Sequence, residues 1–239
     1  MTLDQLWNIV DQVHRASKGD MEQKCKLLDE QLRRIPLDEV RSFHGHFTDC
    51  IDRAYSWQLC AAAYVICGGC GDDGFWDFRS TLVSMGRETF ERALSDPESL
   101  ADLSLEELHQ MQWEGYQYVP SKVEEDLSGG QEFPRSSPHP REPSGERWDD
   151  SKVPELYPKL AERHGESWKW EVEQLIDREL AGEPPYAGRP TWEAFWQTWY
   201  AATRKYPDVT CKWKELKTTE DLVTYMKQRR VARGLPPYE

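Results

Sequence analysis

The sequence predicts an all-α fold, an orthogonal helical bundle with a long Pro/Gly-rich loop and a Trp-rich helical C-terminal extension. Apolar residues recur at helical spacing through residues 1–118, and no convincing run of alternating apolar and polar residues indicates a strand. Proline and glycine cluster in residues 119–150, where they disfavour helix. We therefore expect a bundle core over 1–118, a strap over 119–165 and an extension over 166–239.

Three amphipathic helices are predicted to begin the chain. Thr2 is placed to cap a helix that ends near Ser17, and a second helix should run from about Met21 to Arg34. A third helix is expected to begin at Pro36. Each helix carries an apolar stripe for the core, made of Leu6, Ile9, Val10 and Val13, then Cys25, Leu28 and Leu32, then Val40, Phe43, Phe47, Cys50 and Ile51.

A buried helix and a glycine turn follow. Residues 60–66 are small and apolar on every side, which predicts that they form the most buried helix of the bundle. Gly68 and Gly69 adopt positive φ at little cost and should end this helix. Asp72 is then placed to cap the next helix.

Two more helices should complete the bundle core. We expect one over residues 75–94, ending before Pro97, and another from 103 to about 118. Residues 119–150 should be a long loop, either a disordered linker or an extended strap across the bundle. Apolar side chains at its far end indicate that this end docks, namely Trp148, Leu156, Tyr157 and Leu160.

Aromatic side chains concentrate in the extension, residues 166–239. Thr191 and Thr219 are each placed to cap a helix there. The first of these helices carries one aromatic stripe, which should pack on the bundle rather than stack on nucleic-acid bases: Trp192, Phe195, Trp196, Trp199 and Tyr200. Residues 189–239 hold ten Lys or Arg against six Asp or Glu, whereas residues 1–188 hold 20 against 37, so the two parts should attract each other.

The overall charge limits the classes of partner. The 239 residues carry a net charge of -13, which disfavours nucleic acid as the main partner and favours a basic protein. No apolar run approaches 18 residues, and the first ten residues are amphipathic and acidic rather than a signal peptide. We therefore expect a cytoplasmic protein that does not contact a membrane.

The cysteines do not form a recognisable metal set. Of the six cysteines, only Cys67 and Cys70 have the spacing of a C-x-x-C pair, and the sequence holds no second pair for them. We therefore expect no structural zinc site. A redox role for this pair would require a βαβ context, which the sequence does not show. Nothing in the sequence identifies a cofactor.

Two adjacent carboxylates beside the glycine turn are the main candidate site. Asp72 and Asp73 would lie at a helix N-terminus, where the partial positive charge favours anions, and Asp77 and Arg79 follow within two turns. Three interpretations are open. The cluster is a structural corner in which Arg79 pairs with Asp73, a polar pocket floored by those two residues, or a catalytic or metal-binding acidic cluster.

Two histidines of the third predicted helix are separated by one glycine. Because His44 and His46 lie two residues apart, they should point in opposite directions on a helix and serve different sites. One is then expected to be buried and the other solvated. If Gly45 breaks the helix, the two side chains converge instead.

The residues around the paired carboxylates carry a resemblance to a known family. The segments GGCGDDGFWDFR (68–79) and MGRETFERALSDPESLA (85–101) resemble the hallmark of the bacterial family catalogued as domain of unknown function 4240. The helix that contains Trp7 and the segment 143–160 are also similar to that family, so the resemblance covers about residues 1–165.

The activity of that family is unassigned, so the resemblance implies mainly that Asp72, Asp73 and Arg79 act as one unit. The candidate catalytic residues are therefore Asp72, Asp73, Arg79, His46 and Glu114, and the candidate ligand-binding residues are Gly69, Asp77 and Tyr118.

Two functions are compatible with these features. The first is an acidic protein that neutralises or scaffolds a basic protein partner, as small immunity proteins do for secreted bacterial toxins. The second is an enzyme of unassigned class, in which Asp72, Asp73 and one of His44, His46 or Glu114 act as acid, base or metal ligand and Arg79 holds an anion. We prefer the first, because acidic residues are abundant while spacing alone assembles no complete catalytic set. Nucleic-acid binding by the basic, aromatic extension ranks third.

Overall fold

The computed structural model describes residues 1–130, 138–149 and 152–164, with four further single positions between 228 and 234. These residues form helices and no strand, which confirms the all-α prediction. The helices are α1 (Leu3–Ser17), α2 (Met21–Leu32), α3 (Leu37–Arg53), α4 (Trp57–Ile66), α5 (Asp72–Ser84), α6 (Arg87–Ser95), a 3-10 helix (Pro97–Asp102), α7 (Leu105–His109), α8 (Tyr118–Ser128) and α9 (Val153–Leu156), and residues 158–164 are also helical.

The first helices begin and end close to where the sequence places them. Thr2 forms a capping box with Gln5, in which the Gln5 N–H donates to Thr2 Oγ1 (3.3 Å) and the Thr2 N–H donates to Gln5 Oε1 (2.7 Å). The predicted helix from Thr2 to Ser17 is therefore confirmed. α2 ends at Leu32, two residues earlier than expected, and α3 follows Pro36 as predicted.

The helix predicted over residues 75–94 is in fact two helices. Gly86 interrupts it with φ +91°, and a Cβ at this position would lie 2.6 Å from Asp11 Oδ1 of α1. The same oxygen accepts the N–H of Arg87 at 3.0 Å, so an α1 carboxylate holds the first free N–H of α6. The prediction of one helix is wrong because this turn needs a glycine that sits close to a neighbouring helix.

The next two predictions also need correction. The helix expected from 103 to 118 is limited to α7, and residues 119–128, expected to be loop, belong to α8. Pro120 lies in the first turn of α8, where a missing N–H is tolerated, and Gly129 ends the helix with φ +70°. α8 packs against α2 and α3, so tertiary contact stabilises a segment whose proline and glycine content indicated a loop.

α4 contributes six buried residues to the core. Its buried residues are Leu59, Ala61, Ala62, Ala63, Val65 and Ile66, while Cys60 and Tyr64 are half-buried. The prediction of an apolar helix over residues 60–66 is thus confirmed. The prediction that it is the most buried helix is wrong, because Gln58 of α4 is exposed while α5 buries residues 78–84 without a break.

Residues 138–149, a part of the segment 119–165 that the sequence predicted as a strap, lie across the bundle, and from here on the name strap refers to residues 138–149. The Ser144 N–H donates to the Tyr55 carbonyl, and the Trp57 N–H donates to the Ser144 carbonyl, each at 2.9 Å. Trp148 packs against Trp57 and Tyr64, with ring centroids 6.3 and 5.3 Å away. Beyond it, Val153 and Leu160 are buried, so the predicted docking of this end is confirmed, except at Leu156, which is 50% exposed.

No helix in the described part of the chain combines the length and apolar character needed to cross a bilayer. The helices predicted after Thr191 and Thr219, and the packing predicted for their aromatic stripe, lie outside the described residues.

Candidate functional site

The turn between α4 and α5 contains two glycines, which allow the chain to pass close to His164. Gly68 and Gly69 have φ of +66° and +136°, and the Gly69 N–H donates to the Tyr64 carbonyl at 2.8 Å. A Cβ on Gly68 would lie 3.2 Å from the ring of His164, so space as well as φ favours glycine. Gly69 is buried and closes the helix, and its described contact is to the backbone.

The paired carboxylates Asp72 and Asp73 begin α5 and are exposed. Gly71, rather than Asp72, is the N-cap, and no side chain caps this helix. The predicted capping role of Asp72 is therefore wrong, because the helix starts one residue earlier than the sequence indicated. Both carboxylates still benefit from the positive end of the helix dipole.

Arg79, the third member of the predicted unit, is buried under aromatic rings. Its side chain is 4% exposed, and it donates from Nη1 to the Ile51 carbonyl (2.9 Å) and from Nε to the Phe75 carbonyl (3.2 Å). Its guanidinium lies over the rings of Tyr55, Phe75 and Trp76 at 4.4, 4.8 and 5.1 Å from their centroids. Carbonyls and π faces therefore hold this cation.

The predicted pairing of Arg79 with Asp73 is wrong, since Arg79 points into the core and Asp73 points to solvent. Burial lowers the pKa of Arg79 to about 10, and the nearby charge of Asp52 opposes this shift. The pocket floored by Arg79 and Asp73 does not form. The structure therefore does not bring Asp72 and Asp73 together with Arg79.

Asp73 instead lies near two further carboxylates, Asp77 and Glu114, and we call these three residues the acidic face. Gln117 Nε2 donates a short hydrogen bond to Asp77 Oδ1. Burial raises the pKa of Asp77, the charges of Glu114 and Asp73 raise it further, and the Gln117 hydrogen bond opposes the rise. Within the described residues, none of the three forms an ion pair. Negative charge at this face is thus only partly compensated.

The two histidines on α3 contact different parts of the molecule, as helical spacing requires. His44 Nδ1 lies 2.7 Å from Glu124 Oε2 of α8, whereas His46 Nε2 lies 3.2 Å from the Met1 carbonyl. Both are half-buried, so the expectation of one buried and one solvated histidine is wrong. Arg41 Nε lies 3.6 Å from the other Glu124 oxygen, and this carboxylate therefore joins Arg41 and His44.

An open cleft of about 440 Å³ lies between α3 and α8, next to the acidic face. Gln117 lines the cleft and also binds Asp77, so it connects the two. Tyr118 is 56% exposed at the cleft. The other lining residues are Arg41, His44, Gly45, Phe47, Thr48, Asp49 and Ile51 of α3, Ser121 and Glu124 of α8, Trp76 of α5 and His139 of the strap.

The strap contributes one wall of this cleft through His139. His139 Nδ1 lies 2.9 Å from Asp52 Oδ1, and its ring meets Trp76 edge-on with centroids 5.0 Å apart. Trp76 in turn covers Arg79. The buried cation and the cleft are therefore separated by a single aromatic ring.

No group of three or more His, Cys, Asp or Glu side chains is arranged as a metal site within the described ranges. The five cysteines there, among them Cys67 and Cys70, form no disulfide within those ranges. Burial raises the pKa of the Cys67 thiol well above its usual value, and Cys70 Sγ accepts from Gln112 Nε2 at 3.3 Å. A half-buried Cys67 with a raised pKa stays protonated and is a poor nucleophile.

Sequence reasoning missed several residues of the cleft, above all Gln117, Glu124 and His139. Gln117 was missed because its partner, Asp77, lies 40 residues away on α5, and Glu124 was missed because residues 119–128 were assigned to a loop. Val119, Val123 and Leu127 recur there at a spacing of four, and this signal indicates the helix. His139 has no local signal, because its partners come from α3 and α5.

These features define an all-α protein with an acidic face beside a cleft. The model of the family described as protein of unknown function (DUF4240) matches residues 1–125, more than half of the chain, and the chain belongs to this family. The matched span contains the acidic face and all of the cleft except His139. Comparison with curated proteins and comparison with solved structures each found no match.

Proposed function

We propose that this protein is an acidic binding module, of immunity or accessory type, whose partner is a basic protein. The observation that supports this proposal best is the acidic face. Asp77 is half-buried, its neighbours Asp73 and Glu114 carry the same charge, and its pKa is raised. A cation supplied by a partner would relieve this repulsion, so binding of a basic surface should be favourable here.

The charge balance of the bundle supports the same partner. Residues 1–130 contain 12 Lys or Arg and 24 Asp or Glu. Exposed arginines are already paired with carboxylates of this chain, as in Arg53 with Glu91 (2.9 Å), Arg87 with Asp4 (2.7 Å) and Arg92 with Asp102 (2.5 Å). The excess carboxylates therefore remain for a partner, and their field should speed its association.

The enzyme alternative has less support from the described residues. Arg79 is turned away from the exposed Asp72 and Asp73, so it does not hold an anion beside them. His46 contacts the Met1 carbonyl and does not line the cleft. We also propose a bacterial, cytoplasmic location. The five cysteines in the described part of the chain form no disulfide there, which suits a reducing compartment.

Affinity capture with a charge-matched control tests this function. The full-length protein, a variant with Asp73→Asn, Asp77→Asn and Glu114→Gln, and a control with Glu22→Gln, Glu88→Gln and Glu106→Gln are immobilised and exposed to extract of the host cell. The two variants lose equal charge. The wild-type protein and the control should retain the same basic protein, and the acidic-face variant should lose it at physiological salt. Equal capture by all three, or enrichment of acidic proteins only, would contradict the proposal.

A further inference from the structure

Gly45 is a glycine that the fold itself does not require. It lies in the middle of α3 (Leu37–Arg53), is exposed, and does not have positive φ. A Cβ at this position would meet nothing within 4 Å in the described structure. By contrast, a Cβ on Gly74 of α5 would lie 2.9 Å from Gln112 Nε2, so packing accounts for that glycine. Glycine inside a helix is unfavourable relative to alanine, so Gly45 weakens α3, and no close packing contact in the described structure requires a glycine there.

The space above Gly45 is part of the cleft. A volume of about 440 Å³ falls in the range of pockets that bind ligands. The absence of a side chain on Gly45 allows an incoming group to approach the α3 backbone closely. Gly45 thus widens a cleft that is bordered by the acidic face.

The cleft offers the two kinds of group that hold cations in proteins, aromatic faces and carboxylates. Tyr118 and Trp76 supply rings, and Gln117, which lines the cleft, connects it to the Asp77 carboxylate. Arg41, the cation in the wall, is balanced by Asp38 at 3.3 Å and by Glu124 at 3.6 Å. The chain already holds Arg79 on three rings, at 4.4 to 5.1 Å, so cation binding by aromatic side chains is established within this fold.

We propose that the cleft receives one long cationic side chain, lysine or arginine, of the basic partner. Its aliphatic stem passes over Gly45, and its charged end lies between Tyr118 and the Gln117–Asp77 pair. This inference rests on the proposed function, because it specifies which part of a basic protein enters the site.

The test compares two substitutions that both favour helix. Gly45→Ala places a methyl group in the cleft, and Asn8→Ala makes a similar gain in helix propensity on the exposed side of α1, away from the cleft. The probe is a hexa-arginine peptide, with hexa-lysine as a second probe and hexa-citrulline as the neutral match to arginine, measured by calorimetry on the full chain.

Hexa-arginine or hexa-lysine should bind the wild-type protein and the Asn8→Ala variant equally well, and hexa-citrulline should not bind. Gly45→Ala should melt at or above the wild-type temperature and yet bind at least tenfold more weakly. Tyr118→Ala should bind several-fold more weakly, because one cation–π contact is lost.

Unchanged binding by both Gly45→Ala and Tyr118→Ala would overturn the inference. If the acidic-face variant nevertheless loses the basic protein in the affinity capture, the proposed function stands without the cleft. If the wild-type protein binds neither cationic peptide but still captures a basic protein from extract through the acidic face, the inference alone fails. Failure of both experiments would overturn the proposed function as well.

Discussion

Two buried cations, Arg79 of α5 and Lys24 of α2, are accommodated in opposite ways. Arg79 is 4% exposed and donates to two backbone carbonyls beneath three aromatic rings. Lys24 is 0% exposed, and its Nζ has one hydrogen-bond partner in the described part of the chain, Ser84 Oγ at 3.2 Å. Ser84 Oγ itself donates to the Thr81 carbonyl at 2.6 Å.

The two cations have similar electrostatic surroundings but different numbers of hydrogen bonds and aromatic contacts. Burial lowers the pKa of Lys24 to about 8 and that of Arg79 to about 10, while nearby carboxylates oppose each shift, Glu107 and Asp20 for Lys24 and Asp52 for Arg79. What separates the two is the number of acceptors and rings directed at the cation. A buried charge is expensive by itself, and only the groups built around it offset that cost. The comparison predicts effects of opposite sign when each cation is removed.

The largest effect is expected from Arg79→Ala. It leaves the Ile51 carbonyl without its donor and opens a cavity among the rings of Tyr55, Phe75 and Trp76. We expect the free energy of unfolding to fall by about 3–5 kcal/mol, measured by chemical denaturation at pH 7.

Arg79→Lys is the matched variant, since it keeps the charge but loses the planar group that lies on the rings and donates twice. It should unfold between the wild-type protein and Arg79→Ala. If Arg79→Ala unfolds like the wild-type protein, the structural role that we assign to Arg79 is wrong.

Lys24→Met should have the opposite sign. The difference between the ordinary pKa of 10.5 and about 8 corresponds to roughly 3 kcal/mol of unfavourable burial, and the lost hydrogen bond to Ser84 reduces the gain. We expect the free energy of unfolding to rise by about 1–3 kcal/mol at pH 7. Lys26→Met, an exposed neighbour on the same helix, should change it by less than about 0.5 kcal/mol.

The same substitution should change the pH dependence of stability. Between pH 8 and 10.5 the unfolded chain keeps the Lys24 proton that the folded protein has released, so the unfolded state binds more protons. The stability contribution of this group therefore rises with pH across that window. Lys24→Met should remove the rise, and an identical pH profile in both proteins would contradict the burial of a charged Lys24.

The smallest effect is expected at the acidic face, where a half-buried anion is partly screened by water. Because the pKa of Asp77 is raised, the folded state holds this proton to a higher pH than the unfolded chain, whose value is near 3.8. The stability contribution of Asp77 is therefore lost as pH rises through that window. Asp77→Asn should raise stability at pH 7 by a few tenths of a kcal/mol, measured by denaturant unfolding.

Asp72→Asn provides the contrast on the same helix. It removes a carboxylate from the first turn of α5, where the helix dipole favours negative charge, so stability should fall by about 0.3–1 kcal/mol. Equal shifts in the same direction for the two variants would show that Asp77 does not experience its acidic neighbours.

The sequence by itself determined the features that depend on neighbours in the chain. The capping pair Thr2 and Gln5, the proline before α3 and the glycines after α4 locate helix ends, because caps and φ preferences act within four residues. The spacing of apolar residues placed most of the core side chains of α1 to α3 for the same reason, although Ile9 and Cys25 are only half-buried. The burial of Lys24 could also have been predicted from the sequence, since Lys24 lies on the same face of α2 as the buried residues Met21 and Leu28.

Only the tertiary structure decided which polar groups meet. Lys24 contacts a hydroxyl 60 residues away, His44 a carboxylate 80 residues away and Arg79 a carbonyl 28 residues away. No spacing rule reaches across such separations, since these partners depend on how the helices pack. The split at Gly86 and the helix at 118–128 were missed for the same reason, because the Asp11 carboxylate and the packing of α8 on α2 and α3 outweigh local preference. The cleft and its acidic face exist only where these helices come together.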